Sequence, residues 1–520
     1  MKISKKSVEW AVKHIIKKND TDIFPQPLEI RAIKDFPDEV VNYLCGIDIN
    51  AYKWKDCRRF IIPKAENSYR IATQLHIVDS IMFAAIIYEF GQKIEKRRVP
   101  VAQNIVFSSR FKPKKSGTFY RDDVNWNSFW IHCDQMSRQY KYATYLDISD
   151  FYNQIYHHTI EQQLNESGIP KEVTSSIIKL ISSLTTKSSR GIPIGPHSSH
   201  LLAELALIPF DNSLLTRGIK YCRFCDDIII FTDEEVEAKI AIYTIADILD
   251  KQQRLVLQQQ KTHIMDSFEF SLLCSKNINV TPINETEREI AQMFQRRNAD
   301  PYSYIAITSL TDEERSLLTK EKIENIIDEA ITNDNSYSKI RWFYRRLSQV
   351  GTPNAIEISL KRYQLLLPAL NDIMQYFASV AFLTKDKLPA VGEQLLSILD
   401  DRLIKSNDFF QICILNLFTD TNQFNNIARL VSLYDSASIN VQREILLAAI
   451  PANCSSWISE HKEKYMTMSP WCKRAFILAS SILPSDEKEV FLGKIVKPTL
   501  TNDDVLELTL IKWALKEKHK

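Results

Sequence analysis

Apolar positions recur along the chain with two different periods, and the place where the shorter one disappears divides it. Residues 1–19 set Val8, Ala11, Val12, Ile15 and Ile16 on one face of a predicted helix, with lysines elsewhere. Phe24-Pro25-Gln26-Pro27 ends that helix, and a second helical patch covers Glu39 to Leu44. Arg58-Arg59-Phe60-Ile61-Ile62-Pro63-Lys64 and Ser68-Tyr69-Arg70-Ile71-Ala72 then read as two paired strands. Further helices are expected at Gln74 to Glu95, around Trp126, Phe129 and Trp130, and at Ile160 to Gly168, Pro170 to Leu184, Ser198 to Asp211 and Glu234 to Asp250. Between them lie a Tyr- and Thr-rich strand ending at Asp147, a hairpin from Tyr221 to Phe231, and a short strand at Leu255.

Past about residue 290 the strand pattern stops. From Leu317 onward the chain consists of apolar-periodic stretches such as Leu365 to Phe382, Leu388 to Ile404, Phe409 to Phe418, Asn440 to Ile450 and Trp471 to Ile482, separated by Pro, Asn, Asp or Ser. Stacked HEAT-like or α-solenoid helices fit this pattern, and so does an irregular bundle, because no clean repeat period appears. The expected class is therefore α+β over residues 1–290, followed by an all-helical domain over 291–520.

Composition adds bounds. At 520 residues, 45% hydrophobic and 25% charged, the chain is long enough for two or three cores of ordinary globular kind. The net charge of +2 hides an asymmetry: residues 1–141 hold 25 Lys and Arg against 16 Asp and Glu. A basic first third suits a partner made of phosphates, although a solvated surface has the same composition. Nine scattered cysteines form no disulfide framework and point to a reducing cytoplasm, and Cys222 and Cys225 would face opposite sides of a strand, which argues against zinc. Met1-Lys2-Ile3-Ser4-Lys5-Lys6 lacks the apolar core of a signal peptide, and the apolar run Ile77 to Phe90 is broken by Asp79 and too short for a bilayer, so no membrane role is expected.

The chemistry concentrates in three stretches. In Tyr221-Cys222-Arg223-Phe224-Cys225-Asp226-Asp227-Ile228-Ile229-Ile230-Phe231 two acids sit between apolar runs, where a chain reversal is more favourable for them than a strand interior. Leu146-Asp147-Ile148-Ser149-Asp150-Phe151-Tyr152 supplies a third carboxylate at a strand's end. Between them runs Arg190-Gly191-Ile192-Pro193-Ile194-Gly195-Pro196, two of only ten glycines in the chain, well below the usual share of about 7%. Three carboxylates at strand ends suit a hard divalent cation, whereas an isolated Asp-Asp pair is an ordinary solvated turn. Trp126, Phe129 and Trp130 could stack on bases or fill a core, and the pattern favours the core.

In this order, the acidic strand, the Gly-Pro-Gly loop with its helix to Glu204, and Phe224-Cys225-Asp226-Asp227 resemble the palm of reverse transcriptases. Leu255 to Thr262 resembles the next palm motif, and Arg59 to Lys64 with Arg70 resembles the fingers segment; the likeness covers roughly residues 55 to 275. The Ile-Pro-x-Gly-Pro loop, the Val106-Phe107-Ser108-Ser109-Arg110-Phe111 stretch and the long helical C-terminus are most similar to bacterial abortive-infection (Abi) reverse transcriptases and their defence-associated relatives. Phe224 stands where the Tyr-x-Asp-Asp box of that family has Tyr, and Pro193-Ile194-Gly195 stands where many relatives read Pro-Gln-Gly.

The resemblance implies a fingers and palm domain over 1–290 and nucleotidyl transfer to dNTPs with two Mg²⁺ ions, or Mn²⁺ in their place, on Asp147, Asp226 and Asp227. It gives Lys261 the role of proton donor to the leaving pyrophosphate, Lys64 and Arg70 the β and γ phosphates, Tyr152 the sugar, and Gly191, Pro193 and Gly195 the nucleotide. It further implies template-independent DNA synthesis in antiviral defence, primed on a hydroxyl of the protein, with single-stranded DNA left covalently attached and homo-oligomers allowed. Tyr43 and Tyr52 are the named priming candidates among 20 tyrosines. A template-copying enzyme of retron or intron type and a catalytically idle scaffold are the rival readings.

Overall fold

The computed structural model describes residues 1–520 apart from 66–67, 186–187, 279–282, 298–304, 306, 334–336, 384, 425 and 518–520. The chain forms two compact units. One consists of Met1–Asp22, Pro37–Arg58 and Thr73–Thr281, the other of Ile23–Phe36, Arg59–Ala72 and Pro282–Lys520. Two N-terminal segments, Ile23–Phe36 and Arg59–Ala72, cluster with the C-terminal helices. No described helix is long and apolar enough to cross a membrane.

The first unit is built on a four-stranded antiparallel sheet. Strands β1 (Arg58–Ala65) and β2 (Ser68–Gln74) precede it in the chain; its own strands are β3 (Tyr142–Asp147), β4 (Tyr221–Phe224), β5 (Asp227–Thr232) and β6 (His263–Asp266), in the order β4-β5-β3-β6. The run Ile228 to Phe231 is buried throughout because β5 lies inside the sheet with both faces covered. Ala143, Cys222, Ile229, Phe231 and Met265 share one core with Phe129, Trp130 and Cys133 of helix Trp126–Ser137 and Phe270 and Cys274 of helix Ser267–Ile278. Phe129 and Trp130 are therefore core aromatics, and Trp126 beside them is exposed.

Three expectations need correction here. At Leu255 there is no strand: Leu257 makes an isolated bridge to Ile148, and the regular strand is β6, eight residues later. The helix expected from Ser198 to Asp211 is two, His197–Ala206 and Ile208–Thr216, because Pro209 removes a donor and restarts the helix. Gln74 belongs to β2, and the following helix starts at Ile77 with the His76 side chain accepting from Val78 N–H.

In the second unit, helices Ser338–Val350, Leu370–Val380, Asp408–Asp420, Ile439–Ala448, Pro470–Ala479 and Val505–Lys516 each pack on the next, as in a stacked helical array. The expected Leu388 to Ile404 helix breaks at Asp401, whose carboxylate caps Leu403 and Ile404 N–H. Helix Glu29–Asp35, too short for its period to show in sequence, is held in this unit by Glu29, whose two carboxylate oxygens both accept from Arg443 Nη2 at 2.7 Å. Most of β1 and β2, within Arg59–Ala72, belongs here as well: Phe24 packs between Phe60 and Phe409, and Asn407 Nδ2 donates to Ile61 O at 2.8 Å. The fold is α+β with a helical C-terminal region.

Candidate active site

Strand register sets the acids. β3 and β5 pair so that Asp147 stands directly opposite Asp227, and in an antiparallel pair such residues share one face of the sheet. Asp226 follows Cys225 in the β4–β5 turn, its carbonyl accepting from Ile148 N–H at 3.2 Å, which ties the turn to the end of β3. Burial, then the neighbouring Asp226 and Asp147, push the Asp227 carboxyl up to about 7; burial and Asp147 also raise Asp226.

Each outer acid has a partner. Lys261 Nζ lies 2.6 Å from Asp147 Oδ2, and the Tyr145 hydroxyl donates to Asp227 Oδ1. Burial acts to lower the Lys261 ammonium, and the carboxylates outweigh it, led by Asp147. Among the described residues no three His, Cys, Asp or Glu side chains are placed as a ready set of metal ligands. The donor chemistry nonetheless suits Mg²⁺: all three groups are carboxylates, and their crowding is of the kind that a divalent cation relieves.

The Gly-Pro-Gly loop docks against the segment after β3. Ile192 N–H donates to Tyr152 O at 2.9 Å, and Gly191 N–H to Ile155 O at 2.8 Å. Gly191 at φ 96° and Gly195 at φ 131° take backbone that side-chain-bearing residues rarely adopt, and a Cβ on Gly191 would press on Thr185 at 3.2 Å. Pro193 is buried, and Ile194 O accepts from Thr73 N–H at 2.7 Å. The Tyr152 hydroxyl shares a hydrogen bond with His200 Nδ1 at 2.7 Å, and its phenol is raised by burial and then by Cys225, Tyr120, Glu204 and Asp226. The loop, Tyr152 and the acids therefore form one neighbourhood in the first unit.

The remaining candidates lie on other elements. Lys64 and Arg70 lie on the β1–β2 hairpin of the second unit, Lys64 exposed and Arg70 half-buried, with burial and then Arg341 lowering the Arg70 guanidinium. Tyr43 is half-buried on helix Pro37–Gly46. Tyr52 is a packed core tyrosine whose hydroxyl donates to Asp79 Oδ1 at 2.6 Å, and that burial is a physical obstacle to priming.

Sequence reasoning missed a buried ionic network beneath the turn. Glu204 takes Arg98 at 2.6 Å and Arg223 at 3.0 Å, and Arg223 also grips Asp211 at 2.6 Å and 2.8 Å; all four side chains are sealed from solvent. Burial alone would raise the Glu204 carboxyl, and Arg223 and Arg98 reverse that and hold it low. Full burial of charge signals such pairing, but sequence gives no burial. Tyr145 was within reach of reasoning, since it stands two positions before Asp147 on the same strand face.

Residues 62–280 match the family model described as reverse transcriptase (RNA-dependent DNA polymerase), so the chain carries a reverse-transcriptase domain there. Among curated proteins none matches. Among solved structures, telomerase from Candida albicans in complex with a TWJ fragment of telomeric RNA is similar at 10% identity, over 78% of this chain and 71% of that one, with a TM-score of 0.30.

Proposed function

We propose that the chain is a DNA polymerase of reverse-transcriptase type that extends a hydroxyl of its own without copying a template, and that it serves bacterial antiviral defence. The observation that carries the polymerase reading is the register that faces Asp147 with Asp227 while the turn presents Asp226 beside them. Asp147, Asp226 and Asp227 would hold two Mg²⁺ ions, or Mn²⁺, which when bound stabilise charge on the attacking and leaving oxygens.

The chain's own groups do the rest. A hydroxyl oxygen bonds to the α-phosphorus of a dNTP, its proton passes to solvent water, and the bond to pyrophosphate breaks. Lys261 gives a proton to the departing pyrophosphate, having Asp147 as its resting partner. Tyr152, oriented by His200, lies under the sugar and excludes a 2′-hydroxyl. Lys64 and Arg70 neutralise the β and γ phosphates, a role that rests on the fingers-like motif, and Gly191, Pro193 and Gly195 shape the loop that meets the nucleotide.

Template independence is supported by Ile194, which removes a polar contact where related palms carry Gln, and by the likeness to Abi enzymes. The description of the matching family favours a template-copying enzyme as the second reading. Pure protein mixed with Mg²⁺ and labelled dNTPs, without template or primer, separates them. Incorporation is expected; incorporation only after template and primer are added establishes the second reading, and none under either condition refutes the polymerase.

A further inference from the structure

The Val106 to Phe111 stretch gives the site no acid and no phosphate ligand, yet it runs alongside the acidic hairpin. Val106 and Arg223 form a parallel bridge, with Phe107 N–H donating to Arg223 O at 3.0 Å and Arg223 N–H to Ile105 O at 2.8 Å. This brings Ser108 to Cys225. The Ser108 hydroxyl accepts from Cys225 N–H at 2.8 Å and donates to Glu204 Oε1.

Cys225 sits at φ 56°, a left-handed conformation unfavourable for a residue with a Cβ, and it immediately precedes Asp226. Both of its backbone groups are held by side chains, the N–H by Ser108 and the carbonyl by Arg223 Nη1 at 3.2 Å. Ser108 is held in turn: Arg98 donates to Ser108 O at 2.7 Å and to Ser109 O at 2.8 Å, and Ser109 is itself left-handed at φ 44°. Such backbone persists where its surroundings over-determine it.

We propose that Ser108 is a positioning residue for nucleotidyl transfer, fixing the Asp226 and Asp227 carboxylates through the Cys225 peptide. The proposal rests on the reading of those carboxylates as the metal-binding set. Without the hydroxyl, the Cys225 N–H loses its partner, and relaxation of φ turns the peptide that carries Asp226. Displacement of catalytic groups on the order of 1 Å costs about 10²-fold in rate.

The test compares the full-length wild type with Ser108→Ala and Ser108→Thr, measuring dNTP incorporation against Mg²⁺ and dNTP concentration together with thermal melting. Ser108→Ala is expected to lower kcat about 10²-fold and raise the half-saturating Mg²⁺ concentration, with the dNTP KM unchanged and the fold retained. Ser108→Thr keeps the hydroxyl and should restore most of kcat. Wild-type kcat and Mg²⁺ dependence in Ser108→Ala overturn the proposal, as does a loss that merely follows loss of fold in both variants. Mn²⁺ binding followed by electron paramagnetic resonance provides a readout independent of turnover: weaker binding in Ser108→Ala supports the proposal and unchanged binding overturns it. A wild-type chain that neither incorporates dNTPs nor binds Mn²⁺ instead defeats the reading of the site, and the proposal with it.

Discussion

Asp147 and Asp227 are directly opposed residues of the antiparallel β3–β5 pair. Their Cβ atoms are thus about 4.5–5.5 Å apart on one face of the sheet. With Asp226 in the adjoining turn, the arrangement concentrates negative charge that Lys261 and the Tyr145 hydroxyl only partly offset. Replacing one acid should therefore remove function without removing fold. Asp147→Ala and Asp226→Ala are expected to lower Mg²⁺-dependent incorporation by roughly 10³-fold or more while circular dichroism stays unchanged. Wild-type synthesis by either variant rejects the site.

The same crowding makes stability depend on pH in a definite direction. Asp227 is raised to about 7 in the fold from an ordinary 3.8, so between those values the folded state binds more protons than the unfolded one. Stability is then lost as pH rises through that window. In EDTA, the wild-type melting temperature should fall more steeply from pH 5 to pH 8 than that of Asp227→Asn, and Mg²⁺ should restore more of it at pH 8 than at pH 5. Parallel profiles for the two proteins would dismiss the raised carboxyl.

Tyr152 separates a ring effect from a hydrogen-bond effect. If the ring blocks a 2′-hydroxyl, Tyr152→Ala should incorporate ribonucleotides, and Tyr152→Phe, which loses only the bond to His200, should keep most of the discrimination. The measurement is the dNTP to rNTP ratio of kcat/KM in folded variants. An unchanged ratio in Tyr152→Ala rules out the gate.

The helical region should be required for activity because it supports the hairpin that carries Lys64 and Arg70. Phe24, Phe60 and Phe409 pack together, and Asn407 holds Ile61 O, so a fragment ending near residue 290 strips β1 and β2 of their packing. That fragment is expected to be inactive and to be cut by protease within residues 59–72. Arg443→Ala, which strands the buried Glu29 carboxylate, should cost about 3–5 kcal/mol in denaturant unfolding. A fully active fragment would refute the requirement.

The candidate acids stand out in the sequence because each is a local violation of its surroundings: Asp-Asp between apolar runs, and Asp147 at the end of a Tyr- and Thr-rich strand. The buried pairings elsewhere in the fold do not. Ser108 and Glu204 are 96 residues apart, and Glu29 and Arg443 are 414 apart, so only tertiary burial reveals them. The same applies to the grouping of Ile23–Phe36 and Arg59–Ala72 with the C-terminal helices, which depends on packing between segments whose local patterns carry no address. The Leu388 to Ile404 stretch shows the converse, an apolar period continuing past a break that Asp401 makes by capping the next turn.

Protein priming demands a hydroxyl that can enter the site, and accessibility now divides the tyrosines. Tyr52 is bonded to Asp79 inside the core, its phenol raised well above 10 by burial and by that carboxylate, so it would have to be both extracted and deprotonated. Tyr69 and Tyr243, at 67% and 77% exposure, carry no extraction cost. A tyrosine oxygen positioned in line with an α-phosphate needs no template, and the product would then remain joined to the chain through a phosphodiester. Labelled DNA is accordingly expected to stay with the protein through denaturing electrophoresis and to be released by protease, and mass spectrometry of the nuclease-trimmed conjugate should map the nucleotide to an exposed tyrosine. Tyr→Phe at the mapped position should abolish initiation while extension of an added DNA primer persists. Product that migrates free of protein, and forms only with template and primer present, would establish the template-copying enzyme in its place.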